Sequence, residues 1–263
     1  MTDVFDWHEG TTPLLISIPH DGRELAPDMA ERMTEAALGL PDTDWHVRQL
    51  YDFASDSGAS VVSANYSRYV VDLNRSSSDD ALYPGQLSTG LCPQATFAGE
   101  AIYQQGMECD AAEQAARVNA YWQPYHYQLA DALTAIREQH GYALLWDAHS
   151  IPGEVPLLFD GRLPDLNIGT NNGDSCAKTM QEAVAMVAEA SPFSSVVNGR
   201  FKGGFITRNY GKPADNVHAI QLELAQHCYM DENSLDYLPE RADKLRETLS
   251  AMLNAFTKSA MND

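Results

Sequence analysis

Residues 142–150 read YALLWDAHS, an apolar run that stops against an acid, a histidine and a serine. A short apolar stretch of this kind reads as a buried strand, here Tyr142 to Asp147, with Ala148, His149 and Ser150 at its carboxyl end. The arrangement recurs elsewhere. LLISI over 14–18 is closed by Pro19, so His20 falls at the strand's edge, and VHAIQLEL over 217–224 carries Glu223 near its end. Strands are also expected over 59–64 and 69–73, with two or three short ones over 196–209. Helices are expected over 27–38, 45–57, 176–190 and 239–256. A longer one spans 110–139, bent near Pro124 and stopped by the His140-Gly141 pair. Residues 74–99, with their SSSDD, YPGQ, STG and CPQ pieces, read as a long irregular loop followed by no regular element until 110, and loops of that length usually carry function. A second loop holds the LNIGT segment.

Strands separated by helices of this size predict an α/β fold, with one largely parallel or mixed sheet covered by helices on both faces. Such sheets place their sites at the carboxyl ends of strands. His20, Asn74 with Arg75, His149 and Glu223 all fall at such positions.

The chain has 263 residues, with 37 acidic and 17 basic side chains and a formal charge of −20. A single domain over 1–263 is expected. The charge repels phosphates and anionic lipid, so neither nucleic acid nor membrane is an expected partner. The first ten residues, MTDVFDWHEG, carry acids where a signal has a basic n-region, so no secretory signal is expected, and no apolar run is long enough to span a bilayer. Cys92, Cys109, Cys176 and Cys228 contain no C-x-x-C pair, which argues against a thiolate zinc site or a disulfide framework and for free thiols in a cytoplasmic protein. Local charge runs against the whole between Ala190 and Ala214: the window has no acid but holds Arg200, Lys202, Arg208 and Lys212. Solvated loop charge explains that window, and so does a cleft for an anionic substrate.

A hydrolytic zinc needs about three ligands from histidine and carboxylate and an open position for water. His20 of PHDG and His149 of DAHS are candidates. His8, His126 and His140 read as surface or packing residues; His46, His218 and His227 stay open. Asp147 shares a strand face with His149 and either orients it or caps the following helix. Glu223 shares a face with Val217, Ala219 and Gln221, while His218 points the other way. It is a candidate general base with a pKa raised by burial, or else a solvent-facing residue of an edge strand. Arg75 beside Asn74 suits a carboxylate clamp, and an ion pair with Asp72 is the competing reading.

Nine segments in order, PHDG, DTDW, SRYVVDLNR, LYPGQ, TGLCP, LWDAHSIP, LPDLNIGT, NGRFKGGFITRNYG and HAIQLELAQ, resemble the N-formylglutamate deformylase family of histidine degradation, over about residues 14–230. That family is similar in plan to zinc carboxypeptidases and aspartoacylases. The resemblance implies a mixed sheet of about eight strands and one divalent metal, zinc being the expected ion. His20 and His149 match the histidine ligands, Asn74 and Arg75 the pair that grips a substrate carboxylate, and Glu223 the catalytic glutamate. The carboxypeptidase plan has a glutamate three residues after its first histidine, where this chain has Arg23. Asp44 of DTDW is therefore the expected third ligand, with Asp42 the alternative.

The implied reaction is hydrolysis of N-formyl-L-glutamate to L-glutamate and formate, the last step of a histidine degradation route. Glu223 would move the proton from water to the leaving amine. Two substrate carboxylates call for two cationic contacts, Arg75 and one of Arg208, Arg200 or Arg68, with Arg208 the first choice. A metallo-deacylase for another N-acyl acidic amino acid is the nearest rival, and a non-catalytic dicarboxylate-binding protein a remoter one. No G-x-S-x-G elbow points to a serine hydrolase.

Overall fold

A computed structural model of the chain describes residues 2–79 and 89–260. The expected LYPGQ segment of the long loop lies outside them. Seven strands are found among the described residues: β1 (Phe5–His8), β2 (Leu14–Ile18), β3 (Ser60–Ala64), β4 (Ala143–Ile151), β5 (Leu166–Gly169), β6 (Ser195–Val197) and β7 (Val217–Ala225). They form one mixed sheet in the order β1-β3-β2-β4-β7-β5-β6, one strand fewer than the expected eight. The β3-β2-β4-β7 centre is parallel, β1 and β5 run antiparallel to their inner neighbours, and β6 is parallel to β5.

Period-two patterning explains the layers. Leu14, Ile16 and Ile18 of β2 join Trp146, Ile220 and Leu222 on one face, against helices α7 (Lys178–Ala190) and α9 (Pro239–Ala260). Leu15, Val62, Leu145 and Ala219 point the other way, onto Tyr125, Leu129 and Leu133 of α6 (Gln123–His140). The predicted long helix is present as α5 (Ala111–Arg117) and α6, joined by a π-helical turn over Val118–Trp122 just before Pro124. Proline at that point offers no N–H to the preceding turn, and a widened turn accommodates it.

Several expectations are overturned by long-range contacts. The 27–38 helix is two single turns, α1 (Met29–Arg32) and α2 (Glu35–Leu38), because Met33 between them has extended backbone and bridges Tyr103. The 45–57 helix likewise divides into α3 (Val47–Leu50) and α4 (Phe53–Asp56), with His46 in the left-handed region ahead of α3. Tyr69 to Leu73 is no strand. It is a buried turn whose Tyr69 and Val70 carbonyls accept from the Arg117 guanidinium at 3.3 and 3.0 Å, a side chain doing the work of a neighbouring strand.

LNIGT, expected as loop, supplies β5. The expected short strands over 196–209 reduce to β6, and helix α8 (Phe205–Tyr210) follows Gly203, whose φ of 110° turns the chain. β1 was not expected at all. Its exposed, charged FDWH pattern is that of an edge strand, held by pairing to β3.

Candidate active site

The carboxyl ends of three adjacent parallel strands, β2, β4 and β7, build the site. His20 follows β2 after Pro19, and His149 lies inside β4, opposite Glu223 of β7 in the parallel register. β7 is flanked by β4 and β5, so Glu223 is a buried residue of a central strand and not the edge residue of the alternative reading. Asp147 pairs with Gln221 in the same register, so Asp147, His149, Gln221 and Glu223 share one face. His218 faces away, as expected, and its Nδ1 accepts from the Ala177 N–H at 3.1 Å.

Asp44 completes the cluster from the turn before α3, where its N–H donates to the His20 carbonyl at 3.1 Å. Its Oδ2 lies 2.9 Å from His149 Nδ1 and 3.7 Å from His20 Nδ1. Asp42 goes elsewhere: both its oxygens accept from the Phe97 N–H, at 3.1 and 2.9 Å. The outward ring nitrogens are also held. His20 Nε2 is 2.9 Å from Asp72 Oδ1, and His149 Nε2 is 2.9 Å from Asn74 Nδ2 and 3.2 Å from Asp147 Oδ1.

Two buried atoms of this group have no hydrogen-bond partner, His20 Nδ1 and Asp147 Oδ1. A cation at the two Nδ1 atoms accounts for the first, taking the lone pair of His20 Nδ1. Carboxylates behind the ligand histidines are the usual support of such a site. His20, Asp44 and His149 can therefore hold a divalent ion, and imidazole with carboxylate suits zinc among several others.

Electrostatics follow from burial. Burial opposes the negative charge of Asp44, yet His149 and His20 outweigh it and hold its pKa well below the usual range. Burial equally opposes charge on His149, where Asp147 and Asp44 win and raise its pKa well above that of free imidazole. For Glu223 burial itself prevails and pushes the pKa up to about 8. Gln221 Nε2 donates to Glu223 Oε2 at 3.2 Å, while Gln221 Oε1 accepts from the Gly204 N–H at 2.6 Å.

A cleft opens over His20, His149 and Glu223. Arg68, Arg75 and Arg200 line it, with Phe97, Ile151, Leu158 and Phe201 as its apolar wall. Arg68 Nη2 donates to Asp72 Oδ2 at 2.7 Å, so the Arg75–Asp72 pair of the competing reading is replaced by an Arg68–Asp72 one. Arg75 Nε and Nη1 donate to the Thr89 and Asn74 carbonyls, at 3.0 and 3.3 Å. Arg200 Nε donates to the Leu158 carbonyl at 2.7 Å.

Arg208 Nε donates to the Gly203 carbonyl at 2.7 Å, and Arg208 is not among the described residues that line the cleft. Asn74 lines the cleft, but its amide is engaged by His149, Asp147 and the Ile206 N–H. Gly204 is required beside it, since a Cβ there would lie 2.3 Å from Asn74 Nδ2.

Gln221, Phe97 and the part played by Asp72 behind His20 were missed by sequence reasoning. The shared face of Gln221 and Glu223 was the available signal for the first. Nothing local marks the other two.

A model of the family described as N-formylglutamate amidohydrolase matches residues 12–230. The N-formylglutamate deformylase of Pseudomonas putida is 50% identical over 97% of this chain and 96% of its own length. That of Pseudomonas aeruginosa is 48% identical over the same shares. In fold, the chain is similar to the crystal structure of N-formylglutamate amidohydrolase from Ralstonia eutropha JMP134, with a TM-score of 0.82 over 97% of this chain and 98% of that one, at 22% identity. A family match across most of the chain, near-full-length relatives at about half identity and a shared fold converge on one statement: this chain belongs to the N-formylglutamate amidohydrolase family.

Proposed function

We propose that the chain hydrolyses N-formyl-L-glutamate to L-glutamate and formate with the help of one divalent metal ion, zinc by preference. The observation that carries this reading is the convergence of His20 Nδ1, His149 Nδ1 and Asp44 Oδ2 beside Glu223, under a cleft lined by three arginines. The names of the two Pseudomonas relatives support the substrate.

His20, Asp44 and His149 would hold the ion, which when bound polarises a carbonyl and acidifies water. Asp72 fixes the His20 imidazole by its outer nitrogen, and the Asn74 amide bonds that of His149 with Asp147 beside it. Glu223 takes a proton from the attacking water at its carboxylate and delivers it to the amide nitrogen as the C–N bond breaks, giving formate and the free amine. Gln221 aims Glu223 through Oε2. The raised pKa of Glu223 suits both halves of that transfer.

Arg75 and Arg200 bind the two substrate carboxylates; Arg200 takes the place first given to Arg208 because it faces the cleft, and Arg68 is already matched by Asp72. Phe97, Leu158 and Phe201 flank the substrate's methylenes and exclude water. With this substrate the reaction ends a histidine degradation route. The acidic surface and four free cysteines support a cytoplasmic setting with no nucleic-acid or membrane partner. Among the described residues no helix is long and apolar enough to cross a membrane.

The test is formate release from N-formyl-L-glutamate by chelator-stripped protein, before and after Zn²⁺ is restored, with His149→Ala alongside. Activity that returns with metal and is absent from the variant is expected. Activity indifferent to stripping overturns the metal's role, and turnover of N-acetyl-L-glutamate in place of the formyl compound overturns the substrate.

A further inference from the structure

A second group of donors lies apart from the cleft and shares no residue with it. Asp165 precedes β5, and His227 and Cys228 sit in the single 3-10 turn (Gln226–Cys228) that follows β7. The relevant separations are 3.8 Å for Cys228 Sγ to His227 Nε2, 3.4 Å for Cys228 Sγ to Asp165 Oδ1, and 2.9 Å for His227 Nε2 to Asp165 Oδ1. Tetrahedral zinc, with bonds of about 2.3 Å to sulfur and about 2.0 Å to nitrogen and oxygen, sets the first two separations at about 3.5 Å and the third at about 3.3 Å. All three therefore agree within about 0.4 Å of what the ion demands.

The surroundings have the form of a metal site as well. His227 Nδ1 is buried without a hydrogen-bond partner and faces Glu232 Oε1 at 3.7 Å. That carboxylate is fixed by the His227 and Gly153 N–H groups, at 3.0 and 2.7 Å. An acid behind a histidine whose other nitrogen points at further ligands is the pattern already described for Asp72 and His20. Cys228 is buried, but Asp165 and His227 keep side-chain exposures of 22% and 23%, enough to let a solvated ion approach.

We propose that Asp165, His227 and Cys228 form a second binding site, for a zinc-class divalent ion held partly by thiolate. On binding, the thiol proton passes to solvent, His227 exchanges its Nε2–H bond to Asp165 for the ion, and the ring's proton moves from Nε2 to Nδ1, toward Glu232. A water closes the fourth position. The ion ties the turn after β7 to the chain entering β5. Glu232 extends the tie to Gly153, at the start of the segment that carries Leu158 to the cleft wall.

Cobalt distinguishes this site from the first, since His20, Asp44 and His149 offer no sulfur. Chelator-stripped full-length protein is titrated with Co²⁺ and followed by near-ultraviolet thiolate-to-cobalt charge-transfer absorption, and zinc content per chain is measured in parallel. The absorption is expected in the wild type and in His149→Ala, and is expected to vanish in Cys228→Ser and in His227→Gln, each with loss of one zinc equivalent. Absence of the band from the wild type, or its persistence in Cys228→Ser through another cysteine, overturns the site. Should Cys228→Ser not fold, His227→Gln, which leaves every thiol in place, gives the same decision. None of these readings depends on whether the cleft hydrolyses N-formyl-L-glutamate.

Discussion

Asp72→Asn tests a buried group behind the candidate metal cluster. Asp72 is 0% exposed, and three donors converge on it: His20 Nε2 at 2.9 Å, Arg68 Nη2 at 2.7 Å and the Asn74 N–H at 2.9 Å. Burial opposes its charge, but His20, Arg68 and Arg75 together hold its pKa well below the carboxylate range. Asparagine keeps the shape and loses the charge. Whichever way its amide turns, its NH₂ meets a donor, from His20 on one side or Arg68 on the other.

A buried charge left unpaired costs about 3–5 kcal/mol. Arg68 keeps Asp44 Oδ1 at 3.5 Å and the Phe97 ring at 4.9 Å, so the lower end applies. The expected loss of unfolding free energy is about 3 kcal/mol. Metal affinity falls separately, by about 10–100-fold, as a ligand histidine loses its orienting carboxylate.

The pH dependence has a definite sign. Because the folded pKa is depressed, the Asp72 contribution is complete above the unfolded pKa of about 3.9 and is lost as pH falls toward the folded value. The gap between wild type and variant is therefore constant from about pH 8 to about pH 5 and closes only in stronger acid. Urea unfolding measures the first quantity, and competition against a chromophoric chelator the second. A variant within about 0.5 kcal/mol of wild type in stability, with unchanged zinc affinity, refutes the reasoning, since surface changes reach that size without any such role.

Glu223→Gln is expected to lower kcat by about 10²–10⁴-fold with zinc content unchanged. Burial, with the charges of Asp44 and Asp147, pushes the Glu223 pKa up to about 8, and a neighbouring cation favours the carboxylate, so the acid limb of kcat/KM lies below 8 and disappears in the variant; a limb that persists in Glu223→Gln assigns the titration to another group. Arg200→Met is expected to reduce kcat/KM on N-formyl-L-glutamate by about 10–150-fold, the worth of one charge-assisted hydrogen bond of about 1.5–3 kcal/mol. N-formyl-L-norvaline, which lacks the side-chain carboxylate, separates the two carboxylates in the same kinetic assay. If Arg200 binds the side-chain carboxylate, the variant turns it over as wild type does, and an equal loss on both substrates moves Arg200 to the other carboxylate.

Much of the candidate site was legible because strand ends are local features. An apolar run followed by a polar residue marks both a buried strand and the side chain at its carboxyl edge. In this way His20 after LLISI, His149 in DAHS and Glu223 near the end of VHAIQLEL could be picked out one at a time. Period-two alternation also gave the correct side for Glu223 and the opposite side for His218, since strand geometry repeats every two residues whatever the neighbours are.

What sequence by itself determined, then, was the α/β class, the central strands and, through the family motifs, the residues that meet in the candidate metal cluster. Tertiary structure decided how they meet. Asp72 reaches His20 across 52 positions and Asp44 reaches His149 across 105, and no local pattern carries information over such distances. The turn at Gly203 starts a helix where strands were expected, and Arg208 is carried on that helix. Tyr69 to Leu73 has the composition of a strand but lies where a buried arginine, and no neighbouring strand, satisfies its carbonyls. Local propensity amounts to a few tenths of a kcal/mol per residue, less than the roughly 0.5–1.5 kcal/mol that one hydrogen bond contributes, so packing and pairing between distant segments decide wherever the two disagree.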